Sequence, residues 1–177
     1  MDENQVLPIA LSEMIESSTV ALTLADFTAA DCPLIAVNEA FCRLSGYSRE
    51  EILGRNCRFL QPESGAGPVR ARMRSFLTDP TISDARFLIP NVRKDGEPLL
   101  NLVYMTKLTR NGTVTMILGS QFEAGRANPR KADLYDLALA NDLRQLNTLM
   151  NSHNILALGN FDALASSHAI IAEAKLM

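Results

Sequence analysis

Apolar residues change period along this chain, and each change marks an element. Leu7, Leu11, Met14 and Ile15 fall at helical spacing, with Pro8 suited to a first turn, and predict a short amphipathic helix outside the main fold. Val20 to Leu24 and Leu34 to Val37 predict two strands, separated by the turn-rich Asp31-Cys32-Pro33. Asn38 can cap a helix that carries Phe41 and Leu44 and ends at Gly46. Ser48-Arg49-Glu50-Glu51 has the form of a capping box, opening a brief helix that Gly54 closes, so Cys57 stands where a new helical turn begins. Pro68 opens a further helix with Val69, Met73, Phe76 and Leu77 inward, and with Arg70 and Arg74 along one side.

From Ala85 the period becomes that of strands, over 85–92, 98–109 and 113–123. Asp95-Gly96 and Asn111-Gly112 join them as hairpin turns, because both dipeptides tolerate positive φ. Two strands, a helical crossover and a three-stranded meander make an α+β domain, with helices on one face of a five-stranded antiparallel sheet. A linker with Gly125 and Pro129 follows, and then Leu139, Leu143, Leu146 and Met150 mark a helix over 131–150. Gly159-Asn160 breaks that pattern before a second, alanine-rich segment with Phe161, Leu164, Ile170 and Ile171, also read as helix.

Bulk properties narrow the function. A net charge of −3 gives no footprint for nucleic acid or an anionic membrane surface. No apolar run approaches the roughly 20 residues that span a bilayer. Cys32, Cys42 and Cys57 form no Cys-x-x-Cys pair, and acidic residues interrupt any secretory segment at the start, so a reducing cytoplasm is expected. His153 and His168 stand far from any cysteine in sequence, and no metal site is expected.

The candidate chemistry lies in Gly54-Arg55-Asn56-Cys57-Arg58-Phe59-Leu60-Gln61. Here a thiol stands among an anion-binding guanidinium and two amides, the surroundings either of a packed cysteine or of one that meets a nucleophile's task or a cofactor. Three further amides, Asn91, Asn101 and Gln121, interrupt apolar strands where amides are poor strand formers. An unpartnered buried amide costs about 1–3 kcal/mol, so the three bond one another, backbone edges, or the edge of a flat heterocycle.

These residues resemble the LOV class of PAS domains, blue-light receptors that bind flavin mononucleotide. The resemblance rests on Asn38 to Phe41, Gly46-Tyr47-Ser48, Glu50 to Leu53, Gly54 to Gln61, Asn91 to Gly96, Asn101-Leu102 and Ile117 to Gln121. It runs from about Ser18 to Glu123, and its most specific piece is Asn56 to Gln61. It implies a PAS fold over 18–123, an N-terminal helical cap over 1–17, a linker over 124–130 and a two-helix extension over 131–177. Cys57 matches the thiol that adds to flavin carbon C4a after blue-light excitation. Asn91 and Asn101 match the amides on the pyrimidine edge, Gln61 the glutamine between that edge and the ribityl chain, and Gln121 the one beside N5 and O4. Arg58 and Arg74 match the arginines on the terminal phosphate, while Asn56 orients the ribityl side or the adjoining turn.

Adduct formation leaves N5 protonated, and an amide that carries both a donor and an acceptor end can rotate to face it, so Gln121 is expected to pass the change to the sheet. The sequence departs from the family at Leu100, where a tryptophan is frequent, at Val103, where a phenylalanine commonly packs under the ring, and at Thr23, where an aliphatic residue is frequent. Cys32 and Cys42 match no reactive position. The chain looks like a short bacterial LOV protein without a fused effector, a receptor and not an enzyme. Its flanking helices are expected to signal through a homodimer to an unknown downstream protein, with no nucleic acid and no membrane involved. The alternatives are a non-photochemical PAS sensor of redox state or ligand, and a cofactor-free PAS dimerisation module.

Overall fold

The computed structural model describes residues 7–159 and 166–176. Helix α1 (Ile9–Ser17) leads into strands β1 (Ala21–Asp26) and β2 (Leu34–Val37). Helix α2 (Glu39–Ser45) starts at Asn38, whose side chain accepts from the Phe41 N–H, and α3 (Arg49–Ile52) starts with the expected capping box of Ser48 and Glu51. A 3-10 turn (Cys57–Leu60) and α4 (Val69–Thr78) complete the crossover to β3 (Asp84–Val92), β4 (Pro98–Arg110) and β5 (Thr113–Glu123). The β4–β5 turn has positive φ at both Asn111 (52°) and Gly112 (80°), the backbone that a tight hairpin of this twist requires. Helix α5 (Pro129–Met150) is capped by Asn128, and a short strand β6 (Ile155–Ala157) and helix α6 (Ser167–Leu176) follow.

The main sheet runs β2-β1-β5-β4-β3, antiparallel throughout. It is the expected five-stranded α+β architecture with one addition. Strand β6 pairs with Leu108, Thr109 and Arg110 of β4, past the point where β3 ends its pairing at Thr106. Lys107 is the junction: its N–H donates to the Ser83 carbonyl and its carbonyl accepts from the Leu158 N–H. The tail expected as two helices thus contains a strand as well. Phe161 and Leu164, assigned to its second helix, lie outside the described residues.

Side chains alternate across the strands, so residue parity decides which face each one serves. Leu22 and Leu24 of β1, Leu102, Tyr104 and Leu108 of β4, and Met116 and Leu118 of β5 join the largest apolar cluster, on the face covered by α1 and α5. Leu139, Leu143, Leu146 and Met150 of α5 are buried in that cluster. At about 1.5–3 kcal/mol each, an upper bound, those four outweigh the cost of nucleating one helix. The same cluster takes Leu11, Met14 and Ile15, which corrects the placement of α1 outside the main fold: its apolar face completes the core. The opposite parity, including Thr23, Asn101, Val103, Ile117 and Gln121, faces α2 to α4 and encloses a cavity. No helix among the described residues is long and apolar enough to cross a membrane.

Candidate functional site

The cavity is lined by β1, the start of β2, the 3-10 turn, α4 and the three strands of the meander. Thr23 and Ala25 come from β1, Cys32 and Leu34 from the approach to β2, and Asn56, Cys57, Arg58 and Gln61 from the 3-10 turn and its ends. Met73 and Leu77 of α4 form one wall, and Ile89, Asn91, Asn101, Val103, Met105, Ile117, Gly119 and Gln121 form the sheet floor. Local hydrogen bonds fix the turn. Asn56 Oδ1 accepts from the Arg58 N–H (3.0 Å) and its Nδ2 donates to the Asp31 carbonyl (2.6 Å). Arg58 adds an ion pair to the Asp31 carboxylate. The segment around Cys57 is thereby clasped to the one around Cys32, and both thiols reach the same cavity.

Burial, with a smaller contribution from the neighbouring Cys32 sulfur, pushes the Cys57 thiol up to about 12. Burial and the nearby Asp26 and Asp31 raise Cys32 to about 11. Both shifts favour the protonated thiol near neutral pH, away from a resting thiolate.

On the floor, Asn101 Nδ2 donates to Asn91 Oδ1 (2.9 Å), and Gln121 Nε2 donates to Thr23 Oγ1 (3.2 Å). The opposite ends of both amides, Asn101 Oδ1 and Gln121 Oε1, are buried and meet no protein donor. Leaving such an acceptor unmet costs about 1–3 kcal/mol, and the two lie in one cavity on adjacent strands.

A PAS-domain family profile matches residues 20–123. The RsLOV d2 variant has the same fold at a TM-score of 0.80 and 31% identity, over 99% of this chain and 98% of that one. The chain belongs to the LOV class of PAS domains. The Rhodobacter sphaeroides LOV protein is similar over the same shares, with a TM-score of 0.80 and 29% identity. Phototropin-2 of Oryza sativa subsp. japonica is 37% identical over 118 residues, which are 66% of this chain and 13% of phototropin-2. Blue-light-activated histidine kinase 1 of Erythrobacter litoralis is 37% identical over 115 residues, 63% of this chain and 31% of the kinase. This chain thus spans a minor part of the length of those two relatives.

Within the LOV fold, seven of the eight residues singled out from sequence, Asn56, Cys57, Arg58, Gln61, Asn91, Asn101 and Gln121, line the one cavity. Arg74 lies on the exposed side of α4, next in sequence to Met73, which does line it. Of the departures from the family pattern, Val103 and Thr23 lie on the cavity wall, whereas Leu100 is exposed and takes no part in it. Cys32 and Gly119 were given no site role from sequence, and Thr23 was marked only as a departure from the family. Cys32 reaches the cavity through consecutive left-handed residues, Asp31 (φ 67°) and Cys32 (φ 47°), which no sequence period reveals. Thr23 is an ordinary strand residue by composition, and its role emerges only from its pairing opposite Gly119. Gly119 is required by space: a Cβ there would lie 2.7 Å from Thr23 Oγ1 and 3.2 Å from Gln121 Nε2.

Proposed function

We propose that this protein is a blue-light photoreceptor that binds FMN in the cavity and joins it reversibly through Cys57. The observation that carries the reading is the pair of unmet acceptors, Asn101 Oδ1 and Gln121 Oε1, on a floor that faces a protonated thiol. A flat heterocycle with N–H groups and carbonyls along one edge satisfies such amides, and a flavin is one. The names of the relatives, blue-light-activated histidine kinase among them, point the same way.

Flavin, when bound, supplies light absorption and a ring made electrophilic by excitation. The protein's part is to hold and orient. Asn91, Asn101 and Gln61 would hold the polar edge of the ring, and Gln121 would face the ring nitrogen that gains a proton. Cys57 would supply the sulfur that joins the excited ring together with the proton the ring takes up, and both would return to the thiol in the dark. Arg58, on the cavity lining and braced by Asp31, would hold the phosphate by charge-assisted bonds, and Arg74, on the exposed side of α4, would have to reach it from outside the lining. Asn56 keeps the turn in place. Nothing is turned over, so the role is that of a receptor.

Output follows from Gln121, which lines both this cavity and a groove on the surface beside Phe122, Leu134 and Tyr135. The neighbouring Ser120 shares a hydrogen bond with the Tyr135 hydroxyl of α5. Signal passes along β5 to α5 and to a homodimer of the flanking helices, in which the exposed Leu134 and Leu137 are contacts. A downstream protein then reads the dimer.

The experiment is direct. The purified protein should be yellow with FMN, bleach under blue light and recover in the dark, and Cys57→Ala should keep the colour and lose the bleaching. A protein that takes up no added FMN would overturn the binding, and bleaching that survives in Cys57→Ala would overturn the bond.

A further inference from the structure

Gln121 has a partner that the receptor reading does not require. Thr23 is buried on β1, 4% exposed, and faces Gly119 across the β1–β5 ladder. Its hydroxyl accepts from Gln121 Nε2 at 3.2 Å and donates to the Gly119 carbonyl at 3.4 Å. The missing side chain at Gly119 lets the two approach, since any Cβ there would press on both the hydroxyl and the amide. Every polar atom of this group therefore has a partner except Gln121 Oε1.

A hydroxyl differs from every aliphatic side chain of its size in one respect: it donates or accepts by turning its hydrogen. With the amide as it stands, Thr23 accepts from Nε2. If the amide rotates half a turn, Oε1 arrives where Nε2 was, and the hydroxyl can meet it by swinging its hydrogen away from the Gly119 carbonyl. A valine in the same space could answer neither orientation.

We propose that Thr23 is the positioning residue for Gln121: it donates to Oε1 in the dark, when the amide N–H faces the unprotonated ring nitrogen, and accepts from Nε2, the arrangement seen here, once that nitrogen is protonated and claims Oε1. This rests on the photoreceptor reading and adds to it the group that keeps either amide orientation satisfied inside the sheet. Gln121 follows Ser120, whose hydroxyl shares a hydrogen bond with Tyr135 of α5, so fixing the amide fixes the neighbour of the contact through which β5 meets that helix. Thr23 thus regulates what the photochemistry reports, without touching the reacting sulfur.

The test uses the flavin-loaded full chain with Thr23→Val, which keeps the shape and β-branching, and Thr23→Ser, which keeps the hydroxyl. In the dark, the side-chain amide signals of Gln121 in nitrogen–proton NMR, assigned by their loss in Gln121→Glu, should move in Thr23→Val and return in Thr23→Ser. After illumination, dark recovery should change roughly 3- to 10-fold in Thr23→Val, the range one net hydrogen bond commands, and return toward wild type in Thr23→Ser. Unchanged Gln121 signals or unchanged recovery in Thr23→Val would overturn the proposal, as would a Thr23→Ser protein that behaves like Thr23→Val. The dark NMR readout needs no photochemistry, so a wild-type protein that fails to bleach sinks the receptor reading separately. Melting curves on all variants identify any that lose the fold.

Discussion

At the scale of single residues, the thiols make the sharpest statement. Cys57 is raised by burial to about 12 and Cys32 to about 11, against an ordinary value of 9.0. A thiol whose value rises on folding holds its proton longer in the folded chain than in the unfolded one. Its stabilising contribution is complete below about pH 9 and fades as pH climbs through the folded values. The melting temperature should therefore be level from pH 7 to about 8.5 and fall above 9, and Cys57→Ala should fall less steeply; an equal slope in both would rule out the burial effect. The amides on the floor were legible in the sequence because they interrupt apolar strands and so demand partners. Thr23 stood out only as a departure from the family, and its bond to Gln121 could not be read until its ladder partner was known to lack a side chain. Cys32 was hidden for a different reason, since two left-handed residues aim it and neither is a glycine.

Among the elements, legibility followed length. The long hairpin strands and α5 show their period over many residues, whereas β6 has three residues and owes its existence to the free edge of β4. What seats α6 is likewise remote in sequence. Asp136 of α5 accepts from both the backbone N–H and the hydroxyl of Ser167, and pairs with the buried Arg86 of β3 (3.3 Å). One carboxylate thus caps a helix and neutralises a charge in the core. Removing one member of such a pair is costly, so Asp136→Ala should lose roughly 3 kcal/mol in urea unfolding, with faster hydrogen exchange over 167–176. Asp136→Asn keeps an acceptor for Ser167 and should lose less. Equal stability of Asp136→Ala and wild type would show that α6 is held by its apolar contacts alone.

For the whole molecule, the division of labour between the two sheet faces decides what remains for a partner. The leucine stripe of α5 is taken up by the chain's own core, leaving Leu134, Leu137 and Leu149 of α5 and Ile9 of α1 among the exposed apolar residues that a second copy could cover, with Leu134 and Leu137 the most exposed on α5. Light scattering over a concentration series in the dark and in blue light should show dimer in one condition more than the other, by a coupling of about 1–3 kcal/mol. Leu134→Glu with Leu137→Glu should give monomer in both conditions and leave the colour intact. A monomer at every wild-type concentration would end the dimer proposal. The extension also has a protective consequence. Because β6 occupies the last rungs of β4, a chain cut after Met150 would leave the backbone of Leu108 to Arg110 bare, a ready template for another chain to add a strand. The tail so placed would guard the sheet edge, and shortening this LOV protein to a compact module should trade solubility for size.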